Sequence, residues 1–193
     1  MSQQSAPPAQ EQRRGVGAAL ARNRAFAASG GHEGASLFPA QGVLVITCLD
    51  ARVDPAHILG VELGDALVVR NNGGRVTPQL IDDLAYVSQL AETARPEGPL
   101  FEVAVIHHTE CASARLADDA FRRRYAERIG SDESSLRDYA TVDPAATVKA
   151  DVERLRSAQP VSPRLRVSGH VYDVATGLVE TVVPAQNAGD RSV

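Results

Sequence analysis

The chain has 193 residues, 44% of them hydrophobic and 23% charged, with a formal net charge of −4. This is an ordinary globular composition, long enough to bury a sizeable core, and its negative balance excludes a general attraction for nucleic acid or anionic membranes. No apolar run reaches the roughly 20 residues of a membrane helix. The opening MSQQSAPPAQEQRRG lacks the apolar core of a secretory signal, so a cytoplasmic location is expected, where two cysteines do not form a disulfide framework.

Residues 1–12, rich in Gln, Ser and Pro, read as a disordered tail. The Ala- and Arg-rich stretch 16–28 predicts a helix ended by Ser29-Gly30-Gly31. VLVIT (43–47) is the first strand. Asp54-Pro55 then pairs a capping side chain with a proline suited to the first helical turn, and this short helix is expected to end near Gly60. ALVVR (66–70) is the second strand. Thr77-Pro78 opens a helix with Leu80, Leu84 and Val87 on one face, and FEVAVIH (101–107) is the third strand. Arg122-Arg123-Arg124, among acidic neighbours, reads as a solvated helix face. Asp143-Pro144 starts a helix whose Val148, Val152 and Leu155 share a face. Residues 164–183 alternate around a Thr-Gly turn and predict a strand with a hairpin partner at the sheet edge, followed by a C-terminal tail over 184–193. The three strand runs are short, β-branched and nearly continuous, which suits strands covered on both faces. Their alternation with helices predicts an α/β fold, a mostly parallel β-sheet flanked by helices, as a single domain over 13–183.

In open α/β sheets, ligands gather at the carboxyl ends of the strands. The first strand runs into Cys48-Leu49-Asp50-Ala51-Arg52, the second into Arg70-Asn71-Asn72-Gly73-Gly74-Arg75, and the third into His107-His108-Thr109-Glu110-Cys111. Two thiolates and an imidazole, Cys48, His108 and Cys111, make a zinc set that leaves one tetrahedral position free. Their alternative is buried, inert thiols. Asp50 lies two residues from Cys48 and can approach the same metal; Arg52 can hold it away through a bidentate ion pair. With the pair intact, zinc keeps its water and Asp50 accepts a hydrogen bond from it; with the pair broken, Asp50 becomes a fourth ligand. A plain turn cap is the other reading of Asp50. Two thiolates donate charge to the metal, so activity is expected to favour alkaline pH. Asn71-Asn72-Gly73-Gly74 can bring backbone close to a small ligand, or can be a simple tight turn. His107 reads as a satisfied core histidine, His57 as a surface residue, and Arg70 and Arg75 as partners of nearby carboxylates.

At CLDAR (48–52), DPAHILGVELGDALVVRNNGG (54–74), VIHHTEC (105–111) and GHVYDVATG (169–177) the chain resembles the β-class carbonic anhydrases. The resemblance implies that family's fold over about residues 14–183. It also implies zinc held by Cys48, His108 and Cys111, an Asp50–Arg52 dyad, and Gly73-Gly74 in the pocket wall. The implied reaction is reversible hydration of carbon dioxide to bicarbonate and a proton through zinc-bound hydroxide. Homodimers or homotetramers are implied too, with the helix around 16–28 as an N-terminal arm reaching the partner. Ala112 stands where the family usually has glycine after its cysteine, Asn72 where it usually has alanine, and no tryptophan is present for a secondary bicarbonate pocket. Ala112 keeps hydrolysis of carbonyl sulfide or carbon disulfide as an alternative. A noncatalytic zinc module, with Asp50 as a permanent ligand, is a further one.

Overall fold

The β-branched runs form strands β1 (Val43–Cys48), β2 (Ala66–Asn71) and β3 (Glu102–His108), joined by β4 (Arg166–Tyr172) and β5 (Val179–Asn187). The computed structural model describes residues 15–189; the expected tail over 1–12 lies outside them. Two compact units are present, one ending at Ser36 and the other beginning at Leu37, where the sequence predicts one domain from residue 13. The first carries helix α1 (Val16–Ala28), which meets the expected bounds and buries none of its residues. Among the described residues no helix is long and apolar enough to cross a membrane.

In the second unit the strand order is β2-β1-β3-β4-β5. The first four strands run parallel, and β5 returns antiparallel to β4. Leu44 pairs with Val103, and Val103 with Val167, so one sheet face presents a continuous apolar row. Helices α3 (Pro78–Ala94) and α6 (Pro144–Arg156) pack on that face through Leu80, Leu84 and Ala91, and through Val148, Val152 and Leu155. Full burial of each Leu or Val is worth about 1.5–3 kcal/mol, and these positions hold the sheet and helices in register. The predicted caps operate: the Thr77 side chain accepts from the Leu80 amide, and Asp143 from the amides of Ala145 and Ala146. Asp54 likewise caps α2 (Pro55–Ile58).

Three expectations change. Strand β2 is not covered on both faces: it is a sheet edge, with Val68 44% exposed. Residues 184–188 are not a loose tail, because β5 runs to Asn187 and Ala188 is buried with its amide on the Leu165 carbonyl; residues 190–193 lie outside the described ones. The arginine cluster sits in α4 (Asp119–Ile129), where Arg123 and Arg124 are solvated but Arg122 is buried. Arg122 pairs with Asp119 and with Glu133 of the short helix α5 (Glu133–Arg137), and donates to the Leu116 carbonyl, which ties the helix pair together.

Candidate metal centre

Parallel neighbours β1 and β3 end at the same sheet edge, so Cys48 and His108, the last residues of each, arrive together. After His108 the chain turns back. The Thr109 amide donates to the Tyr172 carbonyl, and its hydroxyl accepts from the Val174 amide. Glu110 takes a left-handed conformation with φ 55°, and Cys111 follows. The ligand atoms of Cys48, His108 and Cys111 lie within 4.8 Å of one another, and all three residues are buried.

The chemistry of this set fits a metal ion. Two sulfurs bound tetrahedrally at about 2.3 Å from one ion stand about 3.8 Å apart; the Sγ atoms of Cys48 and Cys111 are separated by 3.8 Å. His108 Nδ1 contacts the Thr109 carbonyl at 2.8 Å, which as a donor leaves the lone pair on Nε2. That Nε2 is buried with no hydrogen-bond partner. An orphaned buried acceptor beside two thiols is the arrangement a metal completes.

Electrostatics in the ion-free chain follow from the same contacts. The hydrogen bond from Cys48, and one from the Ser113 hydroxyl at 3.1 Å, hold the Cys111 thiol down to about 6 despite burial. The Cys48 thiol is pushed up to about 12 by that shared hydrogen bond and by burial. Burial pulls His108 down, but the nearby Cys48 sulfur, the Thr109 carbonyl and the Asp50 charge outweigh this, leaving it raised.

Asp50 and Arg52 meet as predicted. Arg52 Nε donates to Asp50 Oδ1 at 3.0 Å, its NH2 group to Oδ2 at 2.8 Å, and its amide to Oδ1 at 2.9 Å. These contacts hold the Asp50 carboxyl down to about 2. Arg70 does more than pair with a carboxylate: besides Asp54 it donates to the carbonyls of Cys48 and Asp50, fastening the loop after β1 to β2. Gly73 and Gly74 both have positive φ, 79° and 66°, and form a tight 3-10 turn over Asn72–Gly74. A Cβ on Gly74 would lie 2.9 Å from the Thr47 carbonyl carbon and 3.0 Å from the Cys48 nitrogen. One on Gly73 would lie 2.9 Å from Ser113 Oγ. The glycines therefore let this turn press directly on the two cysteine-bearing segments.

Glu110, Ser113 and Asp151 are not singled out in the sequence. Asp151 had a signal: it lies on the apolar stripe of Val148, Val152 and Leu155, where a charge is out of place. It is fully buried and binds Arg75, His107 and the Val76 amide. Glu110 and Ser113 had none, since only the turn geometry brings them to Arg52 and Cys111. A hollow of about 300 Å³ adjoins the centre, bounded by Leu49, Asn72, Ala112, Ser113, Phe121 and Tyr125 among others. Both positions that depart from the resemblance, Asn72 and Ala112, are on its wall.

A family model described as "Carbonic anhydrase" matches residues 43–179, more than half of the chain. The chain is 31% identical over 147 residues to "Beta-carbonic anhydrase 1" of Mycobacterium tuberculosis, covering 76% of this chain and 85% of that protein. The chain belongs to the β-class carbonic anhydrase family. A solved carbonic anhydrase from Streptococcus mutans superposes with a TM-score of 0.71 at 29% identity, over 88% of this chain and 98% of the other. The family fold, a mostly parallel sheet flanked by helices, is thus the fold observed. The chain is also similar to a "Carbon disulfide hydrolase" from Acidianus, at 26% identity over 68% of this chain and 72% of that protein. The relatives of this chain therefore carry more than one named activity.

Proposed function

We propose that this β-class carbonic anhydrase family member binds zinc through Cys48, His108 and Cys111 and reversibly hydrates carbon dioxide to bicarbonate and a proton. The observation that carries the reading is the 3.8 Å sulfur separation with the orphaned His108 Nε2 facing it. Bound zinc supplies a Lewis acid that brings the pKa of a coordinated water towards neutrality. Asp50 stays ionised through the neutral range, and its carboxylate, kept in place by Arg52, would accept a hydrogen bond from the water that zinc holds and so orient it. The Gly73-Gly74 turn walls the pocket for the small linear substrate. The released proton passes to buffer.

Stopped-flow carbon dioxide hydration from pH 6.5 to 9, on protein of known zinc content, tests this. Turnover rising with pH at one zinc per chain supports it, and no turnover at full zinc occupancy overturns it. A second reading keeps the metal and changes the substrate to carbonyl sulfide or carbon disulfide. It is favoured by Asn72 and Ala112 on the wall of the adjoining hollow and by the hydrolase relative. Turnover of both substrates by one preparation separates the two. Assembly as a homodimer or homotetramer is part of the proposal, supported by the open β2 edge with Val68 and Leu63 exposed; sedimentation analysis tests it.

A further inference from the structure

Glu110 is the single non-glycine residue at positive φ among the described residues, on the turn between His108 and Cys111. Glycine would adopt this conformation without steric cost, whereas a side chain there is held against its preference. The side chain is used. Glu110 Oε2 accepts from the Arg52 NH1 group at 3.0 Å, and the Glu110 carbonyl accepts from the NH2 group at 3.2 Å. Asp50 takes the other edge of the same guanidinium, through Nε and NH2. The two carboxylates therefore occupy different donors and do not compete.

We propose that Glu110 is a positioning residue that latches Arg52 in the orientation pairing it with Asp50, and so keeps the Asp50 carboxylate off the metal. This rests on the metal-site reading above. Arg52 has a long side chain, 48% exposed, with rotamer freedom to lose. Anchored only to Asp50, two residues away on the same loop, it would move with that loop. Anchored also to Glu110, it spans the segment after β1 and the segment after β3, and the loop carrying Asp50 is fixed relative to His108 and Cys111. Without the latch, Arg52 leaves Asp50 more readily, and the fourth metal position is closed more of the time.

The test is azide binding to the cobalt-substituted protein at pH 7, followed by visible absorption, for Glu110→Gln and Glu110→Gly. The first removes the charge and keeps the shape; the second removes the side chain and relieves the backbone. Each is also made with Asp50→Ala, which leaves nothing to close the site. Because a ligand binds only the open fraction, the azide dissociation constant should rise up to about fivefold in the native background, as suits a half-exposed ion pair. In the Asp50→Ala background it should not change. No change in the native background overturns the latch. An equal rise in both backgrounds also overturns it, since Glu110 would then act on the metal site without Asp50. Azide binding needs no turnover, so a chain inactive toward carbon dioxide still reports on the latch; a chain taking up no cobalt overturns the metal-site reading and the latch with it.

Discussion

His107 and His108 are consecutive on β3, both fully buried, and they live in opposite kinds of polar cluster. His107 faces α6, where Nδ1 meets the Thr147 hydroxyl at 2.8 Å and Nε2 lies 3.2 Å from the Gly74 carbonyl and 3.3 Å from Asp151. Asp151 is itself bound by Arg75, Arg154 and the Val76 amide. Both ring nitrogens are engaged. His108, on the other sheet face, has one nitrogen engaged and one orphaned beside two sulfurs. A buried polar group without a partner costs about 1–3 kcal/mol. The difference separates a cluster that is complete as folded from one that could take a metal ion. Gly74 joins them, its carbonyl beside His107 and the space where a Cβ would stand taken by the backbone of Thr47 and Cys48.

The largest effect should come from emptying the unfinished cluster. Cys48→Ser should abolish stable metal binding and lower hydration by more than the about 100-fold that outer partners of metal ligands typically cost. Metal analysis and stopped-flow turnover check both halves. Folding, by contrast, should survive, because the apolar core on α3 and α6 does not use Cys48. Full activity without bound metal would remove the distinction between the clusters.

Breaking the finished cluster should do the reverse. Asp151→Asn leaves Arg75, 2% exposed, without its carboxylate. Such a loss costs about 3–5 kcal/mol, to be read from urea unfolding, with the ligand set still able to take up metal. Acid sharpens the contrast. Burial pushes the Asp151 carboxyl up, but the hydrogen bonds of His107 and Arg75 win and hold it down to about 2, against an ordinary 3.8. A carboxyl depressed on folding stabilises fully above its unfolded pKa, and the gain is lost as pH falls from about 4 toward 2. That contribution is on the order of 2–3 kcal/mol, so the stability gap between wild type and Asp151→Asn should narrow over this range. Zinc, which needs both thiols deprotonated, should leave at higher pH than that, before the fold gives way. A chelating dye and circular dichroism on the same titration separate the two events.

Much of this contrast is legible in the sequence. The strand runs, three Asp/Thr-Pro helix starts and the Cys48, His108, Cys111 set are local patterns, and the sheet order brings them to one edge as strand ends must. His107 as a core histidine follows from alternation along β3. What is not legible depends on contacts that only the folded chain makes. Arg122 looks like one more solvated arginine until Glu133 folds against it. Residues after 183 carry Pro184 and polar side chains that hide a strand whose partner, β4, must be in place first. Ser113 has no signal in the sequence, although its hydroxyl lies 3.1 Å from Cys111 Sγ and its side chain fills the space beside Gly73.

Ser113 leads to a smaller prediction. Its hydroxyl can donate to the Cys111 sulfur and hold it for the ion. Ser113→Ala should weaken zinc binding about tenfold, the lower end for an outer partner, as measured by chelator competition. Ser113→Thr should restore part of it. An unchanged affinity in Ser113→Ala would mean that the serine only fills volume against Gly73.

The smallest expected effect bears on substrate choice. Asn72 and Ala112 lie on the rim of the hollow beside the ligands, and both are exposed, so neither exchange disturbs the core. Ala112→Gly and Asn72→Ala remove a methyl group and an amide from that rim. One methylene in a pocket discriminates by about 1–3 kcal/mol when fully enclosed, and an open rim should give less, a change of a few fold in the ratio of carbon dioxide to carbon disulfide turnover. A shift toward carbon dioxide in both variants would assign the rim to substrate selection. An unchanged ratio would leave selection to the proposed ligand set and the Asp50–Arg52 pair.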